Sequence, residues 1–274
     1  MTEYGTLEHE DGRWVLRFER RLSAPPDRVW RAITDPDEMK AWFPSNVEGD
    51  RAVGAELLFT YDVVDQDDPE QLAAEGLPLF AGRVLEFDPP RLFSFTWGPE
   101  VIRLELVPEG DGTRLVFRQI LSHRSVAGRN GSGWHACLDA LETHLGRDVA
   151  AADGFALYDE YVARMGIALG VPADDGSITW EVVTHVGPDR AREVIAAMAE
   201  WAGDHTAAPL RWDVGTSDAG TVVRVTHDGV GADPELAAVW HARLTQLDLY
   251  MAAGVFHPVA PEPWVSRYRE VLGA

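Results

Sequence analysis

One structural pattern occurs twice in this chain, and only its first copy is complete. Gly112–Phe117 precedes a segment Trp134–Leu138, and Gly220–Val225 precedes a similar segment Trp240–Leu244. Matched order of this kind indicates an internal duplication. We therefore expect two related domains in tandem, 1–170 and 171–274. After each tryptophan, at almost the same distance, come a tyrosine and then a glycine: Tyr161 and Gly166 in the first copy, Tyr268 and Gly273 in the second.

The second copy lacks the middle of the pattern. A long stretch with several strand patterns separates Trp14 from Trp97, whereas only a short stretch separates Trp180 from Trp212. A sheet with so few strands cannot curve round a helix and close a cavity of its own. We therefore expect 171–274 to be a partial, degenerate repeat that packs on the first domain or on a second subunit. The tryptophans expected to be buried in that contact are Trp180, Trp212 and Trp240.

The composition is that of a folded and strongly acidic protein. The 274 residues include 24 basic and 45 acidic side chains, and the formal net charge is −21. Without basic clusters, neither nucleic acid nor an anionic membrane surface is expected as a partner. Cys137 is the only cysteine, and no signal-peptide pattern or long apolar run occurs. These features predict a cytoplasmic protein without disulfides.

The first 170 residues combine strand and helix patterns in the order expected of an α+β domain. Residues 14–22 alternate as a half-buried strand does, and a helix is expected after Pro25–Pro26. Asp35 is a candidate N-cap for a second, short helix. The acidic segment 65–78 is interpreted as an inserted loop. Further strands are expected near 55–63, 82–87, 91–97, 101–107 and 113–121.

A long helix should follow those strands. Trp134, Leu138 and Leu141 recur on one face, and Asn130–Gly133 before them is interpreted as the helix entry with Ser132 as a cap. Such a helix is the one element large enough to cover the apolar face of the sheet. Another helix is expected near 153–168. In the second copy the expected elements are a strand at 178–184, a helix at 189–201, strands at 210–214 and 221–227, and a helix at 234–252.

Residues 14–166 resemble the SRPBCC (START-like) superfamily, and within it the branch named for the C-terminal domain of the activator of heat-shock-protein-90 ATPase. The resemblance implies a helix-grip fold, in which a curved antiparallel sheet grips a C-terminal helix and leaves a hydrophobic ligand cavity. It does not imply an enzyme. The segments that carry the resemblance are Ser23–Trp30, Thr34–Asp37, Trp42–Pro44, Phe87–Leu92, Phe95–Trp97, Gly112–Leu115 and Gly133–Trp134.

Strand alternation and the helix face identify candidate lining residues for that cavity. A ligand cavity needs a few polar groups among apolar walls, and Tyr61 and Gln119 are candidates, with Arg83 or Arg118 as further ones. The predicted lining residues are Leu57, Phe59, Tyr61, Phe93, Phe95, Trp97, Phe117, Gln119, Trp134, Cys137, Leu138 and Leu141.

The residues capable of chemistry form no recognisable catalytic or metal motif. His135 and His241 follow the paired tryptophans, one position off the apolar face, and are expected on the helix surface or at the boundary of that face. His144 is expected at the surface, and His123 in a solvated loop near the mouth of the grip. Neither zinc-ligand spacing nor a nucleotide-binding glycine motif occurs, so no metal or cofactor is expected. Cys137 is expected to be a small buried hydrophobe. The alternative, a reactive thiol, would need a neighbouring cation.

Three functions remain open at this point. The sequence favours the binding of a small apolar molecule without catalysis. A polyketide cyclase or aromatase-like enzyme could use the same cavity, and a chaperone-associated interaction module of the stress response is the third alternative. That last alternative is weakened because eukaryotic co-chaperones of this type carry a further N-terminal domain, and only a short segment precedes Trp14. A homodimer through the second repeat is also expected to be possible.

Overall fold

The computed structural model describes residues 4–60, 80–150, 154–167, 170–184, 186–201, 210–228, 233–253 and 259–273. The chain divides into two compact units, residues 1–165 and 166–274. Each unit has its own antiparallel sheet and its own helices. Tyr61 and the segment 65–78 lie outside the described residues.

The first unit contains an eight-stranded antiparallel sheet. Its strands are β1 Thr6–Glu10, β2 Arg13–Leu22, β3 Asn46–Glu48, β4 Glu56–Thr60, β5 Phe80–Asp88, β6 Leu92–Trp97, β7 Glu100–Glu109 and β8 Gly112–Ile120. They lie in the order β1-β2-β8-β7-β6-β5-β4-β3. Strand β2 therefore pairs with β8, which is the last of these strands along the chain. The helix that follows β8 packs across the sheet.

The helices of the first unit are α1 Pro26–Thr34, α2 Pro36–Met39, α3 Ala127–His144 and α4 Gly154–Met165. Asp35 caps α2 as predicted, because its carboxylate accepts hydrogen bonds from the backbone N–H groups of Asp37 and Glu38. Helix α3 buries Trp134 among rings of the sheet, with Leu138 and Leu141 fully buried beside it. The large antiparallel sheet and the long helix confirm the predicted helix-grip fold.

Two local expectations are wrong. The sequence prediction began the sheet at Trp14, but Thr6–Glu10 forms an edge strand paired with β2 through a turn at Asp11–Gly12, both with positive φ. That dipeptide is a strong hairpin signal, and the polar character of β1 concealed it. Ser132 is not the cap of α3. It lies inside the helix, where its hydroxyl donates to the carbonyl of Arg129.

The second unit reproduces half of the first sheet. Its strands are β9 Val171–Pro172, β10 Ile178–Thr184, β11 Leu210–Ser217 and β12 Gly220–His227, and its helices are α5 Pro188–Trp201, α6 Pro234–Ala253 and α7 Glu262–Leu272. The sheet order β11-β12-β10-β9 matches the order β7-β8-β2-β1 of the first unit. Among the residues that the structure describes, the second sheet has no counterpart of β3 to β6.

The same buried contact recurs in both units. The Tyr161 hydroxyl accepts from the backbone N–H of Gly5 (3.0 Å) and lies 2.7 Å from Nδ1 of His135. In the second unit the Tyr268 hydroxyl accepts from the backbone N–H of Gly170 (2.9 Å) and lies 3.3 Å from Nδ1 of His241. A Cβ atom on Gly5 would approach the Phe18 ring to 2.5 Å, so only glycine fits there. The tyrosine thereby joins the start of the sheet to the paired helices.

The close approach of α3 and α4 gives a testable prediction. A Cβ atom on Gly131 would lie 2.7 Å from the ring of Tyr161, which is fully buried, whereas Gly133 two residues later has open space around it. Gly131→Ala should lower the free energy of unfolding by about 1–3 kcal/mol through overpacking. Gly133→Ala should raise it by about 0.5–1 kcal/mol through helix propensity. Urea denaturation of both variants checks this, and equal effects would contradict the packing.

Candidate functional site

The inner side of the grip is an aromatic cluster centred on Trp134. The indole of Trp134 contacts Phe43, Trp97 and Phe117, with ring centroids 5.5, 5.3 and 4.5 Å apart. Phe95 contacts both Phe43 (6.0 Å) and Phe59 (5.9 Å), which extends the cluster towards β4. We use the name aromatic cluster for Phe43, Phe59, Phe95, Trp97, Phe117 and Trp134.

The structure places most of the predicted lining residues together at this cluster. Trp97 and Cys137 retain intermediate exposure, and Tyr61 lies outside the described residues. Arg83 and Arg118 do not face inwards: Arg83 is exposed and donates to the carbonyl of Gly54, and Arg118 pairs with a glutamate of β1 on the outer face. The buried members of the predicted set are Leu57, Phe59, Phe93, Phe95, Phe117, Gln119, Trp134, Leu138 and Leu141.

A chain of polar side chains borders the aromatic cluster. The Trp134 indole N–H donates to Oε1 of Gln119 (2.8 Å), and Nε2 of Gln119 donates to the carboxylate of Glu100. The same carboxylate accepts from the hydroxyl of Ser122 (2.9 Å) and from Nδ2 of Asn130 (3.0 Å). Glu100 is only 3% exposed. This carboxylate therefore ties β7, β8 and the start of α3 together at one point.

Burial dominates the electrostatics of Glu100. Removal from water raises the pKa of this carboxyl, although the hydrogen bonds from Ser122 and Asn130 and the charge of Arg129 act in the opposite direction. Sequence reasoning missed this residue. Glu100 lies on the same face of its strand as Ile102 and Leu104, which are both fully buried. This alternation was the signal from which its burial could have been predicted.

Cys137 is surrounded by protein and still keeps some exposed surface. Burial raises the pKa of its thiol to about 12, whereas the reactive-thiol alternative requires a neighbouring cation that lowers it. The residue is nevertheless of intermediate exposure, which corrects the expectation of a fully buried hydrophobe. The helical period places it beside Trp134 and Leu141, on the side of α3 turned away from α4. Its partial exposure places Cys137 at the edge of the face that α3 packs on the sheet, between the buried Trp134 and the exposed Gly133.

The opposite side of α3 carries a buried ionic cluster that sequence reasoning did not predict. Nε of Arg20 lies 3.2 Å from Glu142, and Nη2 of Arg20 lies 3.8 Å from Asp139. Arg147 pairs with the other oxygen of Glu142. Arg20, Asp139 and Glu142 are each at most 3% exposed. On β2, Arg20 lies on the same face as the buried Phe18, so its side chain points from the sheet towards the helix.

His135 and His241 are buried, contrary to the boundary position expected from sequence. They are 4% and 1% exposed. The Tyr161 hydroxyl lies 2.7 Å from Nδ1 of His135, and Nε2 of His135 lies 3.5 Å from Asp139. Burial, followed by the charge of Arg20, lowers the pKa of His135 to about 4. His135 is therefore neutral at pH 7.

The two remaining candidate histidines have local roles. Nδ1 of His123 accepts from the backbone N–H of Ser125 and so caps the short 3-10 turn that precedes α3. Nε2 of His144 lies 3.1 Å from Glu38 of α2 and links the end of α3 to that helix. Both histidines are half-buried.

The first unit has the helix-grip fold of START-like, or SRPBCC, domains. Residues 23–146 match the family model "Activator of Hsp90 ATPase homolog 1-like protein", which supports the similarity of this part of the chain to the branch named for the heat-shock ATPase activator. The match lies entirely inside the first unit. None of the curated proteins matches this chain.

Several solved structures are similar to this chain over the greater part of its length. A conserved protein of unknown function, EF2215 from Enterococcus faecalis, is 22% identical over 58% of this chain and 89% of its own, with a TM-score of 0.48. CalU16 from Micromonospora echinospora is 23% identical over 60% and 98%, with a TM-score of 0.44. The product of gene BPP1335 from Bordetella parapertussis is 27% identical over 58% and 89%, with a TM-score of 0.44.

Within the described ranges, no helix is long and apolar enough to cross a membrane. The same residues contain no group of three or more histidine, cysteine, aspartate or glutamate side chains placed to hold a metal ion.

The hydrogen bond of Trp134 can be tested against its counterpart in the second unit. Trp134→Phe leaves the buried Oε1 of Gln119 without its donor, which should cost about 1–3 kcal/mol of stability beyond the smaller ring. Trp240 is equally buried, and in the described part of the chain its indole nitrogen has no hydrogen-bond partner. Trp240→Phe should therefore cost less. Urea unfolding of the two variants checks the order, and a larger loss for Trp240→Phe would contradict it.

The ionic cluster predicts a pH dependence. Burial raises the pKa of Asp139 from 3.8 to about 6 against the lowering effect of Arg20. A carboxyl whose folded pKa is raised destabilises the folded state above that pKa, and the penalty disappears as pH falls to the unfolded value. Wild type should therefore gain stability relative to Asp139→Asn between pH 6 and 3.8, by on the order of 2 kcal/mol.

Unfolding by urea at several pH values measures that difference. A difference between wild type and Asp139→Asn that does not change between pH 7 and 4 would contradict the account.

Proposed function

We propose that the first unit binds a small, largely apolar molecule between its sheet and α3, beside Cys137 and the aromatic cluster. Domains of this fold commonly bind hydrophobic ligands, and the aromatic cluster supplies walls of the matching chemistry. Aromatic rings also favour an aromatic or polycyclic ligand, since rings stack with one another in offset or edge-to-face arrangements.

The single observation that carries this proposal is the state of Cys137. This residue keeps part of its surface exposed beside an otherwise mostly buried aromatic cluster. It lies on the turn of α3 next to Trp134, the centre of the aromatic cluster. A cleft at this place would be lined on one side by α3 and on the other by the half-exposed ring of Trp97.

The polar border of the cluster limits the ligand further. Gln119 and Glu100 are the inward-facing polar groups next to Trp134, and their hydrogen bonds largely satisfy one another. A ligand in contact with them would carry one hydroxyl or carbonyl group on an otherwise apolar body. A ligand with several charges is excluded, because unpaired charge next to the aromatic cluster would be costly to bury.

Filling the space beside Cys137 tests the proposal. The purified full chain is analysed by native mass spectrometry for co-purifying small molecules and titrated with 1-anilinonaphthalene-8-sulfonate, monitored by fluorescence. Cys137→Trp should weaken binding of the dye at least tenfold, because the new ring occupies the cleft. Cys137→Ser is the matched control and should bind as wild type does. Equal binding by both variants, with unchanged melting temperatures, would refute this site.

The raised pKa of Glu100 favours a second candidate function, acid–base catalysis on a ligand in the same site. A carboxyl that holds its proton closer to neutral pH can act as a general acid. Once a ligand is identified by mass spectrometry, Glu100→Gln should leave its binding within about threefold and abolish any conversion of it. Conversion at the wild-type rate would eliminate Glu100 as the general acid.

A further inference from the structure

Among the described residues, the sheet of the second unit ends in a long strand that has a strand partner on one side alone. This strand is β11, Leu210–Ser217, and no other described strand pairs with the outer side of β11. In the first unit, β7 holds the equivalent position and its outer side pairs with β6. The open strand has eight residues, whereas the edge strands β3 and β9 have three and two. Such an edge presents unpaired backbone N–H and C=O groups, which readily pair with another strand.

The side chains of β11 alternate between two faces. Leu210, Trp212 and Val214 are half-buried and lie opposite buried residues of β12. Arg211 and Asp213 lie on the other face, with 63% and 75% of their side chains exposed. The inner face is therefore apolar but only partly covered. The outer face carries one positive and one negative charge, placed symmetrically about Trp212.

We propose that two copies of this chain pair through β11 as antiparallel strands about a two-fold axis at Trp212. In that register Arg211 lies opposite the partner's Asp213, and by symmetry Asp213 lies opposite the partner's Arg211. Trp212 lies opposite its own copy, and Leu210 lies opposite the partner's Val214. Opposite charges and aromatic pairs at directly facing positions stabilise antiparallel strands. The two half-sheets become one continuous sheet of eight strands, with an isologous interface.

The neighbouring registers are unfavourable. A shift of the axis to Arg211 places two arginines opposite each other, and a shift to Asp213 places two aspartates opposite each other, which is destabilising. An axis between two residues turns the apolar face of one copy to the solvent side of the other. Trp212 is therefore the one centre within Arg211–Asp213 that satisfies both faces and both charges. The sequence of β11 favours a second copy over an unrelated strand because it is complementary to itself.

Existing contacts of β11 are compatible with this pairing. Arg211 pairs with Asp228, which directly follows β12 (2.8 Å), and Asp213 lies 3.7 Å from Arg224 of β12. Exposed charges of this kind can each interact with two partners. The exposed Arg192 of α5 donates to the carbonyl of Val214 (3.2 Å), and a backbone N–H of a second copy can replace that long side chain. The pairing does not depend on the proposed ligand.

A charge swap on the full chain tests the proposal. Sedimentation equilibrium at physiological salt should show a monomer–dimer equilibrium for wild type. Asp213→Arg should weaken dimerisation at least tenfold, because it places arginine opposite arginine at both symmetric positions. The double variant Arg211→Asp with Asp213→Arg restores opposite charges and should restore dimerisation to within a few fold of wild type. Asp218→Arg makes the same charge change in the adjacent turn and should leave dimerisation unchanged.

Cross-linking tests the register. With Cys137→Ala as background, Trp212→Cys should form an intermolecular disulfide on oxidation, since facing Cα atoms of paired strands lie within disulfide range. Gly215→Cys should not form one, because its copies are far apart in this register. Circular dichroism and melting temperature establish that each variant is folded.

Several outcomes would overturn the proposal. These are a wild-type chain that is monomeric at all concentrations, a dimer that persists in Asp213→Arg, or a double variant that fails to recover dimerisation. Slow exchange of those β11 amides that point away from β12, in a monomeric chain, would show that another part of the same chain covers the edge, and this too would overturn the proposal.

Discussion

The structure of the first unit depends on how α3 buries both of its sides at once. One side places the indole of Trp134 among the rings of Phe43 and Phe117, and the other faces the arginine that β2 sends inwards. Dispersion and hydrophobic burial hold the first side, whereas a paired and nearly dry set of charges holds the second. Both sides must be satisfied together, so the helix has one position on the sheet, and every candidate ligand contact is set by that position.

The second unit shows which part of this arrangement a half-sheet retains. Trp180 pairs with Val225 as Phe18 pairs with Phe117, so Val182 stands where the first unit has Arg20. The second unit therefore has no arginine at the position that supplies the ionic cluster of the first. The contact of Tyr268 with Gly170 and His241 is nevertheless the same as that of Tyr161 with Gly5 and His135. A sheet of four strands is therefore enough for the tyrosine contact that joins the helices to the start of the sheet. The aromatic cluster also needs residues of β4 and β6, and these strands have no described counterpart in the second unit.

Much of the fold could be predicted from the sequence, and the reasons for failure elsewhere are physical. Hydrophobic alternation identified β2 and β4 to β8, because apolar side chains repeat at every second position where one face is buried. The same reasoning failed for β1, a polar edge strand, and for the buried Glu100 and His135. The type of a polar residue does not tell whether it is buried or exposed. Burial depends on the hydrogen-bond partners, which lie far along the chain. For Glu100 the available signal was strand alternation, because it shares a face with the buried Ile102 and Leu104.

The central claim is an apolar hollow beside Cys137, between α3 and the sheet. Apolar cavities bind xenon, so a crystal of the full chain under xenon pressure tests the claim most directly. The account predicts a xenon atom in contact with the side chains of Cys137 and Trp134. A first unit that binds no xenon there, with the rings of the aromatic cluster filling the space between α3 and the sheet, would contradict it.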